Sequence, residues 1–158
     1  MISKTTLTAI RALIFVAHNA EAGTLPPRRI AEALGESPTY MAKVTRALVK
    51  AGILRTSKGV KGGVWLGRPA KEVTLREIFE ACQGTIVGAY CDPDCDPAGI
   101  CSFHRAAAEL QRAIIGVLER WTLAQLLKKP EGESGRKGVP CVMVGVNSLL
   151  EAALRPTG

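Results

Sequence analysis

At 158 residues and 16.8 kDa, the chain has room for one well-packed domain, or for a small domain with a helical extension, and the second arrangement is expected. A hydrophobic share of 47% against 22% charged residues excludes a disordered polyelectrolyte. No apolar run approaches the roughly 20 residues that span a bilayer, and the start lacks a secretory leader's apolar core and cleavage site, so a cytoplasmic location is expected.

The net charge of +7 is lopsided, with twelve Lys/Arg against three Asp/Glu in residues 1–71 and nine against eleven in the remainder. A basic N-terminal half is the footprint of a polyanion partner, or else a plain solvated surface. Residues 5–20 place Leu7, Ile10, Leu13, Ile14 and Ala17 at helical spacing, predicting an amphipathic helix that ends before Gly23. Pro26-Pro27 opens a short second helix with Ile30, Ala33 and Leu34 inward, stopped by Gly35. Ser37-Pro38 then caps and starts a third, with Met41, Val44 and Leu48 on one face up to Gly52.

Two helices joined tightly at Gly35-Glu36 make a helix-turn-helix pattern, with a plain helical hairpin as the alternative. If the second helix reads DNA, Arg28, Ser37, Thr39, Tyr40, Lys43 and Arg46 are the candidate contacts. Next, Ile53-Leu54-Arg55-Thr56 and Val64-Trp65-Leu66 bracket a glycine-rich basic stretch and predict a β-hairpin. Its tip would be a wing whose Lys58, Gly59, Lys61, Gly62 and Gly63, with Arg55, reach phosphates or a minor groove; a surface loop is the alternative.

Thr74 and Glu77 form a capping box at the start of a further helix, whose stripe of Leu75, Ile78, Phe79 and Cys82 makes Cys82 a core thiol. Three more cysteines and a histidine follow: Cys91, Cys95, Cys101 and His104, with gaps of three, five and two residues. This is a full set of soft ligands for iron or zinc, and thiolates must shed their protons to bind either. Five cysteines without a secretion signal argue against a disulfide framework. Asp92, Asp94 and Asp96 interleave the first two cysteines, as loop solvation or as oxygen ligands. Without a Cys-x-x-Cys pair or a second histidine near the set, a thiol redox enzyme is disfavoured, and His18 reads as an ordinary surface or packed histidine.

From Ser102 a long helix should run to about Arg120, with Ala106, Leu110, Ala113, Ile114, Val117 and Leu118 at heptad-like spacing. A projecting helix of this kind needs a partner, and a homodimer is the simplest. The expected organisation is a winged helix-turn-helix domain over 1–72, a connecting helix and cysteine-rich loop over 73–101, and a dimerisation helix with a short following helix over 102–127. A flexible linker and an apolar tail containing Cys141 fill 128–158. The fold class is mainly α with a small β-hairpin.

Over roughly residues 1–127 the chain resembles the IscR/NsrR family of winged-helix transcription regulators, many of which carry an iron-sulfur cluster. The resemblance lies in Ile10-Arg11-Ala12-Leu13, Arg29-Ile30-Ala31-Glu32, Tyr40-Met41-Ala42-Lys43-Val44 and the run from Leu48 to Leu54. It continues through Lys58 to Leu66, the Thr74-Leu75 helix start, and Cys101-Ser102-Phe103-His104-Arg105. It implies a non-enzymatic, homodimeric regulator, a repressor by type, on a palindromic double-stranded operator. Its affinity would be controlled by a cluster that reports redox state, iron-sulfur status or nitric oxide. The implied ligands are Cys91, Cys95 and Cys101, with His104 fourth as in the IscR-like, [2Fe-2S] branch.

The nitric-oxide-sensing branch instead holds [4Fe-4S] with an acidic ligand from the first helix of the other subunit, at a position that here falls on Leu7 or Thr8. Neither is acidic, so [2Fe-2S] is favoured over [4Fe-4S]. The chain departs from the family in leaving three residues between Cys91 and Cys95 where five or more are usual. The alternative is a zinc-stabilised or cluster-free winged-helix regulator without cluster sensing.

Overall fold

Serine and threonine side chains set where three helices start. In the computed structural model, which describes residues 2–59, 62–86 and 102–128, Ser3 accepts from the Thr6 amide at 3.1 Å and opens α1 (Lys4–His18). Pro27 stands in the first turn of α2 (Pro27–Leu34), and Gly35 closes it in the left-handed conformation at φ 67°. Ser37 then accepts from the Tyr40 amide at 3.2 Å to open α3 (Pro38–Lys50).

The chain next turns through β1 (Leu54–Ser57) and β2 (Gly63–Leu66), an antiparallel pair in the register Leu54↔Leu66 to Ser57↔Gly63. The reciprocal capping box of Thr74 and Glu77 starts α4 (Leu75–Gln83), and α5 (Ser102–Arg120) and α6 (Leu123–Leu126) complete the described elements. Among the described residues no helix is long and apolar enough to cross a membrane.

The sheet gains a third member that the sequence pattern did not signal. Leu25, ahead of α2, bridges Val64 through both backbone bonds, at 3.0 and 2.8 Å. This crossing explains Gly63: a Cβ there would lie 2.6 Å from the Leu25 carbonyl carbon, so only glycine lets the two backbones meet. An extended residue before the helix-turn-helix and a hairpin after it give the winged-helix arrangement.

The core is built around α1. Ala9, Ala12, Leu13, Ile14, Phe15 and Val16 are buried together with Ile30, Leu34, Met41, Val44, Leu48, Ile53, Leu54, Val64, Val73, Ile78 and Leu123. The expected inward stripe of α1 is corrected here. Leu13 and Ile14 are buried, but Leu7, Ile10 and Ala17 are only half-buried, whereas Ala12 to Val16 are buried without interruption. The middle of α1 is enclosed by α2, α3, α4, α6 and β2, so no single face describes it. Its buried hydroxyls find partners: Thr6 receives the Gln83 amide at 2.8 Å and Thr8 donates to Glu36 at 3.4 Å.

Helix α5 is fastened at its C-terminal end. Leu118 is buried, the Leu75 amide donates to the Trp121 carbonyl at 2.8 Å, and the Leu123 amide donates to Val73 at 2.8 Å. Arg76 bonds both Glu80 of its own helix, at 3.0 Å, and Glu119 of α5. Towards its start, the residues of α5 that remain half-buried are His104, Ala107, Ala108, Gln111 and Ile115, which continue the Leu118 stripe. The expected stripe is therefore split: Leu118 turns to the core, whereas Phe103, Leu110, Ile114, Val117 and Trp121 form an exposed apolar row.

Candidate nucleic-acid interface and ligand set

Helix α3 packs its Met41, Val44, Thr45 and Leu48 inward, which leaves Thr39, Lys43 and Arg46 exposed on the outer side. Thr45 returns its hydroxyl to the Met41 carbonyl at 2.9 Å, so it asks nothing of a partner. The exposed trio occupies the N-terminal half and middle of the helix, where a recognition helix meets base edges and phosphates. Ser37 is exposed but spends its oxygen on the helix cap. Arg28 is exposed on α2 and pairs with Glu32 at 3.2 Å, an i,i+4 contact of about 0.3–0.5 kcal/mol that leaves the guanidinium able to exchange partners.

Tyr40 differs from its neighbours. Its ring is half-buried against the core, and its hydroxyl donates to Thr5 of α1 at 3.3 Å. Beside it, Lys4 lies 5.7 Å over the ring and 3.7 Å from the Glu36 carboxylate. The first turn of α1 is thus joined to the first turn of α3, a link that no local sequence pattern signals because the residues are 35 apart.

On the wing, Arg55 and Lys58 are exposed, and Gly59 has φ 107°, a conformation that side chains disfavour. Gly62 donates to the Gly59 carbonyl at 2.9 Å, and a Cβ on Gly62 would meet the Ser57 carbonyl oxygen at 2.5 Å. Gly59 and Gly62 are therefore required by the turn, and Gly63 by the Leu25 crossing. Val60 and Lys61 lie outside the described residues.

Of the four expected cluster ligands, His104 is described: it stands in the first turn of α5, half-buried. Cys91, Cys95 and Cys101 lie outside the described residues, as do Asp92, Asp94, Asp96, the 129–158 tail and Cys141. Cys82 packs against the core, and burial pushes its thiol pKa up, as expected of a core thiol. His18 is exposed near the end of α1.

A profile for the Rrf2 family, described as iron-dependent transcriptional regulators, matches residues 2–129. The chain belongs to the Rrf2 family. It is accordingly a DNA-binding transcription regulator and not an enzyme. Protein aau3 of Rhizobium meliloti is 32% identical over 131 residues, covering 80% of this chain and 84% of that protein. The HTH-type transcriptional regulator IscR of Escherichia coli K12 is 29% identical over 125 residues, covering 78% and 77% respectively. Among solved structures, CymR, the global cysteine regulator of Bacillus subtilis, shares the fold with a TM-score of 0.64 at 24% identity, over 80% of this chain and 95% of its own.

Proposed function

We propose that this Rrf2-family regulator is a homodimer that represses from a palindromic operator, its affinity set by an iron-sulfur cluster on Cys91, Cys95, Cys101 and His104. The observation that carries the proposal is His104 in the first turn of α5, three residues after the third of three closely spaced cysteines. Three thiolates and one imidazole suit an iron-sulfur centre, and the helix N-terminus favours the negative charge such a centre brings. A cluster of the [2Fe-2S] type is favoured over [4Fe-4S], because the neutral Leu7 and Thr8 supply no acidic ligand. Loss or oxidation of the cluster is the signal, reporting redox state, iron-sulfur status or nitric oxide.

DNA contact is assigned to Thr39, Lys43 and Arg46 on α3, to Arg28, and to Lys58 and Lys61 on the wing, which position the backbone. Tyr40, Ser37, Gly59, Gly62 and Gly63 join them chiefly by holding the shape of the reading surface. Dimerisation rests on the apolar row of α5, where Phe103 is 68% and Leu110 is 63% exposed. With Ile86, Ala106, Ala107 and Ile114 these two line a groove of about 270 Å³. A second α5 crossing there would cover side chains that water otherwise meets.

A visible absorption spectrum of anaerobically purified protein tests the cluster. The expected result is a brown protein with thiolate-to-iron bands, and His104→Ala should weaken cluster retention and shift those bands. A colourless protein containing one zinc per chain supports the second reading, a zinc-braced regulator, which the same three-sulfur, one-nitrogen donor set favours.

A further inference from the structure

The start of α1 is held to the start of α3 and to Glu36 just ahead of it by four side-chain contacts. Ser3 caps α1 and so fixes Lys4 as its first residue. Tyr40 donates to Thr5 at 3.3 Å, Thr8 donates to Glu36 at 3.4 Å, Lys4 approaches Glu36 at 3.7 Å, and the Lys4 ammonium stands 5.7 Å from the Tyr40 ring centre. Within this group the two charges differ in access. The Lys4 side chain is 77% exposed, whereas that of Glu36 is only 14% exposed and is bonded from the protein side by Thr8.

A lysine–glutamate pair whose lysine is exposed is a weak contact, and so is an exposed cation over an aromatic ring. Neither contact fixes Lys4 firmly, but together they keep its ammonium beside the end of the helix that enters the groove. A duplex presents one negative charge per roughly 1.7 Å of its axis, so a cation held at that end meets phosphate when α3 docks. Lys4 also offsets the charge of Glu36, which would otherwise face the same phosphates uncompensated.

We propose that Lys4 belongs to the DNA-binding surface as a phosphate-contacting residue, held beside the start of the recognition helix by the Tyr40 ring and the Glu36 carboxylate. The assignment rests on α3 being the helix that enters DNA, and it adds a contact from α1, outside the helix-turn-helix and the wing.

The test measures affinity against salt concentration for the full-length protein, on operator and on random duplex, for Lys4→Gln, Lys4→Arg, Glu36→Gln and the Lys4→Gln/Glu36→Gln double variant, with Lys43→Gln as reference. For a phosphate contact, Lys4→Gln weakens both duplexes by the same factor. It also makes the slope of log K against log salt shallower by about 0.9 for each protomer bound, and Lys4→Arg restores both. The same loss appears when Lys4→Gln is made on the Glu36→Gln background. If Lys4 serves only to cancel Glu36, Lys4→Gln changes nothing on that background, and the proposal is overturned. A normal slope for Lys4→Gln alongside a shallower one for Lys43→Gln overturns the Lys4 contact while leaving α3 as the reading helix. Normal slopes for both overturn the two together.

Discussion

Thr74 and Glu77 show how much one local pattern can carry. The Glu77 carboxylate accepts from the Thr74 amide at 2.8 Å and from Arg68 at 2.6 Å, and it reaches the Thr74 hydroxyl at 3.1 Å. Partial burial pushes its pKa up, but the Thr74 amide, the Arg68 guanidinium and the Thr74 hydroxyl together outweigh that and hold it below the usual carboxylate range. The folded chain therefore binds this proton less readily than the unfolded chain. The stabilisation is complete above the ordinary glutamate value, about 4.3, and is lost as pH falls through the lower folded value. Thr74→Ala should cost about 1 kcal/mol in urea unfolding at neutral pH, and Glu77→Gln should flatten the dependence of Tm on pH between about 6 and 3.

The glycine at position 63 carries the opposite lesson, because its identity reads as a wing feature and its reason lies elsewhere. Its missing side chain makes room for Leu25, 38 positions earlier, and a Cβ would sit 2.6–2.9 Å from the Leu25 backbone. Backbone atoms cannot turn aside as the end of a flexible side chain can. Gly63→Ala should therefore lower stability by about 1–3 kcal/mol, read as a drop in the urea midpoint, with DNA affinity per folded molecule little changed. A loss of affinity with an unchanged midpoint would instead make Gly63 a direct DNA contact.

Elements bounded by proline, glycine and a capping side chain were legible in the sequence. Pro27 and Gly35 delimit α2, Ser37 opens α3, and Thr74 opens α4, each through a contact made within a few residues. The hairpin was legible for the same reason, since β1 and β2 lie either side of one turn. The features without a local sequence signal depend on distant partners. The Leu25 bridge is a single residue with no strand of its own, and α1 is buried around its middle by five elements that come later in the chain. The Lys4–Tyr40 approach has no local signature, and neither does the division of the α5 stripe into Leu118 facing inward and Leu110 facing out. The candidate ligand set rests on spacing together with the resemblance to the IscR-like branch, and His104 at the head of α5 is its member among the described residues.

At the scale of the whole molecule, the proposed dimer makes α5 the connection between two reading surfaces. Its C-terminal end is tied to α4 through Arg76, Glu119 and the Thr74–Thr122 bridge, and α4 in turn packs on α3. In the proposed dimer the tilt of α5 would be coupled through α4 to the placement of α3, which would give the proposed cluster at the head of α5 a mechanical route to DNA. Replacing Leu110 by lysine places a charge in the apolar row on both copies without touching the core, since Leu110 is exposed and Leu118 holds the helix down. Leu110→Lys should move the protein from dimer to monomer in sedimentation at micromolar concentration while its melting curve stays within a few degrees, apart from the concentration dependence that a dimer adds. Binding of a palindromic operator should then fall by at least about tenfold, because the second half-site is no longer held at high effective concentration. Affinity for random duplex should persist with about half the salt slope, as one basic surface rather than two meets the phosphates. A Leu110→Lys protein that still sediments as a dimer and binds the operator normally would remove α5 as the interface and leave the route from His104 to α3 without its connecting element.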